Sequence, residues 1–414
     1  MGMKVERLKR RFDEMAQIGA TERGGVHRLA LSDLDREARD LWTHWSEEAG
    51  FKVRVDDFGN MFARLEGNFP EKKPIVLGSH LDSVPKGGKF DGTLGVLVGF
   101  EIIESLQEKA EDLSCPLEVA VFTNEEGARF PTPMLGSGAI TGVFSKQHVY
   151  DMQDDDGKRF EDELKRIGYQ GEEKNRLKEV EAFIELHIEQ GPLLEAREKP
   201  VGVVKGIQGL SWHRVQFIGE SDHAGTTPLE HRKDPLLSAV KAISRINNWI
   251  HRLEDETLVT FGKFDTLPGS INVIPSEAVF SLDIRHPDHS VLLDRVETVK
   301  HLIREVALED DTQSLCEDLS FMPPVAFDES LIDTLRESCR ANEIDYLEMF
   351  SGAGHDAMYI DRLGKTVMIF TPSQAGKSHC EEEETDWEDI EKALRVMHDN
   401  VARLALTHQP AADE

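Results

Sequence analysis

The chain has 414 residues, 39% of them hydrophobic, and a formal net charge of -30 from 48 basic against 78 acidic side chains. A field of that sign repels nucleic acid and anionic membrane, and no apolar run approaches the ~18 residues of a membrane-spanning helix. The length exceeds what one compact core usually holds, so two domains are expected.

The charged start, Met1-Gly2-Met3-Lys4, reads neither as a secretory leader nor as a lipid site. Residues 4–19 read as a helix. Ser32 caps a second helix, with Asp35 three positions on and Gly50 as its stop. Phe51, Val53 and Val55 alternate as a strand, and residues 61–65 return as the other arm of a hairpin. Residues 74–78, 117–123 and 183–188 are short apolar runs, expected as buried strands, and 93–108 has helical spacing. Strands alternating with helices indicate an α/β sheet covered on both faces. The character changes near Gly206. A strand (211–218), a helix (234–253), two strands (258–264 and 278–284) and a helix (291–306) make a small α+β unit. After Pro323-Pro324 the α/β character returns, with a helix at 330–341, a strand at 366–370 and a last helix at 385–406. The expected architecture is an α/β, mixed-sheet catalytic domain (1–208 and 326–414) split by an inserted α+β lid domain (209–325). Cys115, Cys316, Cys339 and Cys380 form no CxxC pair and read as idle thiols of a reducing cytoplasm, and the acidic run Glu381 to Glu384 reads as solvated surface.

Chemistry-bearing residues gather at the expected strand ends. His80 and Asp82 lie two apart after the 74–78 run, so both point to one side, and a metal-bound imidazole commonly has its second nitrogen held by a carboxylate. Asp91 sits in the glycine-rich loop before the 93–108 helix, where a carboxylate can bridge two cations or cap the helix. Glu125 and Glu126 end another buried strand. Adjacent side chains splay apart, so one can bind metal while the other takes a proton from water; the residues alone leave open which does which. His187 interrupts an apolar strand, and His379 follows the 366–370 strand by a loop. This nitrogen and oxygen set suits zinc, manganese, cobalt or nickel.

The chain resembles the M20-type metallopeptidase superfamily and, within it, the hydantoinase/carbamoylase amidase family of N-carbamoyl-L-amino acid hydrolases, allantoate amidohydrolases and β-ureidopropionases. The resemblance runs through GSHLDSVPKGGKFDGTLGVL, FTNEEGARF, ELHIEQGPLLE, DHAGTTPL, GSINVIP, SLDIR, SGAGHDAMY and TPSQAGKSHCEEE, in the family's order. It implies two divalent metal ions per subunit, one on His80 and His187, one on Glu126 and His379, with Asp91 shared. It further implies that Asp82 holds the His80 imidazole, that Glu125 is the general base, and that a cis peptide follows Asp91. From the inserted domain, His223 would reach the partner subunit's site in a homodimer and steady the oxyanion, while Asn272 and Arg285 grip the substrate carboxylate beside Gln190. One departure is Asp222, where many relatives carry a small residue; its carboxylate is expected either to orient His223 or to raise its pKa. The implied reaction is hydrolysis of the ureido C–N bond of an N-carbamoyl-L-amino acid to amino acid, ammonia and carbon dioxide. Allantoate is the alternative small-molecule substrate. An aminoacylase or dipeptidase is disfavoured by HIEQGP and HAGTTP, and a non-catalytic binding protein by the intact ligand set.

Overall fold

The computed structural model describes residues 4–109 and 112–406. Met1 to Met3, on which part of the N-terminal reading rests, lie outside them. The chain forms two compact units, one running to Lys205 and resuming at Phe327, the other spanning Gly206–Ala326.

A nine-stranded mixed sheet underlies the first unit, in the order Lys52–Val55, Met61–Leu65, Leu117–Phe122, Ile75–His80, Ala182–Ile188, Lys365–Thr371, Val201–Ile207 and Val325–Ala326, with Tyr346–Ser351 also paired to Val201–Ile207; the last pairing, of Val325 and Ala326 with Ile207 and Gly206, falls within Gly206–Ala326. The four strands from Leu117–Phe122 to Lys365–Thr371 are mutually parallel. The pair Lys52–Val55 and Met61–Leu65 is the expected hairpin, closed at Val55↔Met61. Ile75–His80, Leu117–Phe122 and Ala182–Ile188 are buried along their whole length, as apolar runs covered on both faces must be. Helix Thr93–Glu108 is buried almost all round, and Val5–Gln17 packs on it through the Arg7 and Arg11 pairs to Glu101 and Glu104. Helix Asp33–Glu48 starts as its sequence requires: Ser32 Oγ accepts the Asp35 N–H at 3.1 Å. The Asp35 carboxylate reaches one residue further back than in a capping box, to the Leu31 N–H at 2.7 Å.

The parallel strands share one direction, so their carboxyl ends lie along one edge of the sheet. His80 closes one strand opposite Phe122 on the next, and His187 lies level with Phe370. Open α/β sheets hold their ligands at that edge.

The second unit is a five-stranded antiparallel sheet in the order Phe264–Leu267, Glu277–His286, Gly209–Ile218 and Gln313–Met322, with Leu258–Thr260 also on Glu277–His286. Glu277–His286 alternates strictly between buried and half-buried residues. Its inner face packs with helices Pro235–Ile250 and His289–Glu309 around Val215, Phe217, Phe280, Ile284, Ala242 and Val299. The single strand expected at 258–264 is two. The chain leaves the sheet around Gly262, so Leu258 pairs with Arg285 but Phe264 with Phe280. Gln313–Met322, which the sequence reading passed over, is an edge strand with Glu317 and Asp318 at its middle. Among the described residues no helix is long and apolar enough to cross a membrane, and all four cysteines are free.

Candidate active site

Eight of the residues singled out from the sequence meet at the carboxyl edge of the first unit's sheet. His80, Asp91 and His187 form one buried group of potential ligand atoms, and Asp91, Glu126 and His379 form a second. Asp91 belongs to both. Its Oδ1 lies 3.3 Å from His80 Nε2 and 3.2 Å from His187 Nε2. Its Oδ2 lies 3.5 Å from His379 Nε2, which is 3.3 Å from Glu126 Oε2.

The hydrogen bonds fix what these atoms offer. His80 Nδ1 donates to Asp82 O and His187 Nδ1 to Ile188 O, each at 2.9 Å. In the neutral rings both Nε2 atoms are then lone-pair acceptors; His187 Nε2 takes the Gly92 N–H at 3.2 Å, and both face a carboxylate oxygen, itself an acceptor. The His80 Nε2 and Glu126 Oε1 atoms are buried with no hydrogen-bond partner. Acceptors packed against acceptors, in imidazole and carboxylate chemistry, fit divalent cations. Burial, and then the Asp91 charge alongside, hold the Glu126 carboxyl well above its ordinary value. Burial likewise raises Glu125, with Asp356, Glu126 and Asp91 adding to it against the opposing pull of His80. Glu125 Oε2 lies 3.5 Å from His80 Nε2.

Local backbone geometry aims these groups. Asn124 takes a left-handed conformation (φ 56°) at the strand exit, with its carboxamide donating to Phe130 O and Thr132 O, so Glu125 and Glu126 diverge. At Gly92 (φ 63°, ψ -52°) the chain reverses in a γ-turn, with Thr93 N–H donating to Asp91 O at 2.6 Å. A Cβ there would lie 2.4 Å from three atoms of the His80 ring. This turn corrects the expectation of a cis bond: Leu267–Pro268 is the cis peptide among the described residues, and Asp91–Gly92 is not one. Arg28, fully buried, ties the two ligand loops by donating to Leu81 O at 2.7 Å and Thr93 Oγ1 at 3.0 Å.

Two orienting roles also differ from expectation. Asp82 holds His80 through its main-chain carbonyl; its carboxylate accepts the Glu125 and Glu126 N–H groups, each at 3.3 Å. The side chain is drawn to the amides of the turn that follows Asn124, which need acceptors once the strand ends. His223 is oriented by the Gly225 N–H on its Nδ1 at 3.1 Å, not by the Asp222 carboxylate, because the tight turn brings that amide to the ring. In the neutral ring the proton then sits on Nε2.

Gln190 Nε2 donates to Asp91 Oδ2 at 2.8 Å, and its Oε1 is buried without a partner. In the second unit His223 and Asn272 are neighbours: His223 pairs with Val273, and Ala224 N–H donates to Asn272 O at 3.1 Å. The Arg285 guanidinium is held from Nη2 and Nε by the Asp283 carboxylate at 2.8–3.2 Å. That unit also groups His213, Cys316 and Asp318. Lys300 Nζ, 2.8 Å from Asp318, already supplies a positive charge there.

Sequence reasoning missed four buried groups behind the metal-type ligands. Glu185 accepts from Ser79 Oγ at 2.7 Å and from the Ala357 N–H, and Asp356 accepts from Ser137 Oγ at 2.6 Å. The His355 ring stands edge-on to His187, with centroids 4.5 Å apart, and its Nε2 meets Ser351 Oγ. Glu383 lies under the Asp91 loop, only 3% exposed, which corrects its reading as solvated surface. For Glu185 a signal existed: it shares a strand face with His187.

A family model for Peptidase family M20/M25/M40 matches residues 76–403, and the chain belongs to that family, whose members are metal-dependent hydrolases. It is 36% identical to an N-carbamoyl-L-amino-acid amidohydrolase of Pseudomonas sp. (strain NS671), over 96% of this chain and 98% of the relative. It is 36% identical to the allantoate amidohydrolase of Bacillus subtilis (strain 168), over 94% of this chain and 95% of that one. A crystal structure of a hydantoinase/carbamoylase family amidase from Burkholderia multivorans superposes with a TM-score of 0.92 at 40% identity, covering 97% of this chain and 98% of that one. The protein is an amidohydrolase, an enzyme that hydrolyses amide C–N bonds.

Proposed function

We propose that the enzyme hydrolyses the ureido C–N bond of N-carbamoyl-L-amino acids, giving the amino acid, ammonia and carbon dioxide. The observation that carries this reading is the pair of imidazole Nε2 acceptors facing Asp91 Oδ1, with a second ligand trio on Asp91 Oδ2. His80 and His187 would hold one cation, Glu126 and His379 another, and Asp91 both. Two divalent cations of the zinc, manganese, cobalt or nickel kind, when bound there, supply Lewis acidity to the carbonyl and ease the ionisation of water. Glu125, whose Oε2 lies 3.5 Å from His80 Nε2, takes the proton of the attacking water and delivers it to the leaving nitrogen. Gln190 Oε1 is an acceptor available to a ureido N–H.

The inserted unit supplies the rest. Arg285 and Asn272 grip the substrate carboxylate, and the Nε2–H of His223 donates to the developing oxyanion of the partner subunit's substrate in a cytoplasmic homodimer. The exposure of Ile271 (103%), the chain neighbour of Asn272, and of Leu229 (77%), in the segment that follows His223, supports a covering partner. Allantoate is the second reading, supported by the Bacillus subtilis relative at equal identity. The test is ammonia release by metal-reconstituted protein from N-carbamoyl-L-amino acids, N-carbamoyl-β-alanine and allantoate. Turnover confined to allantoate selects the second reading, and release from none of them rejects both.

A further inference from the structure

Glu383 is a buried carboxylate that touches both the Asp91 loop and the His379 loop of the second trio. Its Oε1 accepts the main-chain N–H groups of Phe90 (2.9 Å) and Asp91 (3.1 Å). Its Oε2 accepts the hydroxyl of Ser378, next to His379, at 2.8 Å. The same hydroxyl lies 3.0 Å from Asp91 Oδ2, so two carboxylates share one proton. A Cβ on Gly88 would fall 1.9 Å from Glu383 Cδ, so a bare glycine is what lets the carboxylate in. The linkage bears on the looser of the two ligand groups. The side chains of His80, His187 and Asp91 are 1%, 1% and 5% exposed, but that of His379 is 52% exposed, on a residue with φ 56°. Beyond the Gln190 amide, 3.3 Å from His379 Nε2, it is the loop that fixes His379 against Asp91.

We infer that Glu383 is a positioning residue: by fastening the Ser378–His379 loop to the main chain at Asp91, it sets the geometry of the Asp91–Glu126–His379 trio and thereby the loading of that trio with metal. The inference rests on the two-cation reading of the site. Groups that orient ligands from behind commonly account for ~10–100-fold in metal affinity. Glu383→Gln keeps an oxygen for the Phe90 and Asp91 amides and presents an NH₂ to Ser378 Oγ, freeing that hydroxyl proton for Asp91. It is the conservative variant. Glu383→Ala removes the linkage. Gly88→Ala keeps Glu383 but drives its carboxyl away.

The experiment is calorimetric titration of the metal-stripped full chain with Mn²⁺, His379→Ala marking which binding event belongs to the trio. The expected result is two events in the wild type, the marked one weakened ~10–100-fold by Glu383→Ala and by Gly88→Ala and largely kept by Glu383→Gln, the other event unchanged. In the Glu383→Ala background, Gly88→Ala should add nothing further. If Glu383→Ala does not fold, Gly88→Ala carries the test. A wild type with two events, and variants that leave the marked event alone or weaken both equally, overturns the role of Glu383. A wild type that binds fewer than two ions overturns the two-cation reading instead.

Discussion

The γ-turn at Gly92 gives the sharpest test of the site geometry. Replacement by alanine perturbs it in two ways. The backbone at φ 63°, ψ -52° is a region that L side chains rarely occupy, and holding one there costs about 1–3 kcal/mol. The new Cβ would also stand 2.4 Å from Cε1, Nδ1 and Nε2 of His80, against the 3.4 Å at which ordinary contact begins. The His80 ring or the turn must therefore give by about 1 Å. The ring is 1% exposed and held by Asp82 O, and the turn carries Asp91, so either movement changes the His80–Asp91 spacing. A displacement of that size costs ~100-fold in rate where reacting groups must be aligned. Gly92→Ala is thus expected to lower kcat/KM for ureido hydrolysis about 100-fold and to reduce bound metal, with folding retained. Steady-state ammonia release, metal analysis of the purified protein and thermal unfolding read the three quantities. Full metal content with kcat/KM within about threefold of wild type would refute the reasoning that this glycine is there to admit the His80 ring.

Glu125→Gln should lower kcat by ~10²–10⁴-fold while metal content stays at the wild-type level; retained turnover removes Glu125 as the base. Asp82→Asn leaves the main-chain carbonyl on His80 but spoils the acceptor for the Glu125 and Glu126 amides, so kcat should fall ~10-fold or more with the metal event that His379→Ala spares unchanged. Loss of that event in titration would restore the carboxylate–imidazole role. Asp56 is fully buried, and burial, against donors from Phe58 and Asn60, pushes its carboxyl up to about 7 from 3.8. Between those values the folded chain keeps a proton that the unfolded chain has released, so its contribution to stability is full below about 4 and falls as pH rises to about 7, by at most ~1.4 kcal/mol per unit. Asp56→Asn should flatten the urea-midpoint profile across that window, and an unchanged slope would show that Asp56 does not titrate there.

What the sequence made legible follows from what each pattern depends on. Buried parallel strands are short apolar runs because both faces are covered, and ligands that end such runs, His80, Glu126 and His187, are therefore visible as polar interruptions. Edge strands carry no such signature. Gln313–Met322, with polar residues and one neighbour, reads as irregular chain. Orienting contacts were harder still, because they run through the main chain: Asp82 serves His80 by its carbonyl, and Gly225 serves His223 by its amide. No side-chain pattern encodes those. Glu383 was hidden for another reason. In a run of four glutamates, only the fold decides that one is 3% exposed while its neighbours face solvent more fully.

These contacts share a logic. Burial holds the Glu126 carboxyl well up, whereas His187 and His80 hold the Asp91 carboxyl well down against the effect of its burial. The surrounding structure also fixes these groups from outside the site. It does so with groups whose own hydrogen bonds are satisfied elsewhere: the Nδ1 protons on Asp82 O and Ile188 O, Arg28 across the two loops, and Glu383 on the Asp91 amide. Each fixes one ligand without touching the space between the ligands, which stays available to cations. The two units divide the chemistry accordingly. The rigid edge of a parallel sheet carries the groups that must not move, while His223, Asn272 and Arg285, which would meet the substrate's own polar groups, sit on a separate small sheet and its ribbon. In the function proposed above, reaction type belongs to the sheet edge, and substrate choice to Gln190 on that edge together with His223, Asn272 and Arg285 of the inserted unit.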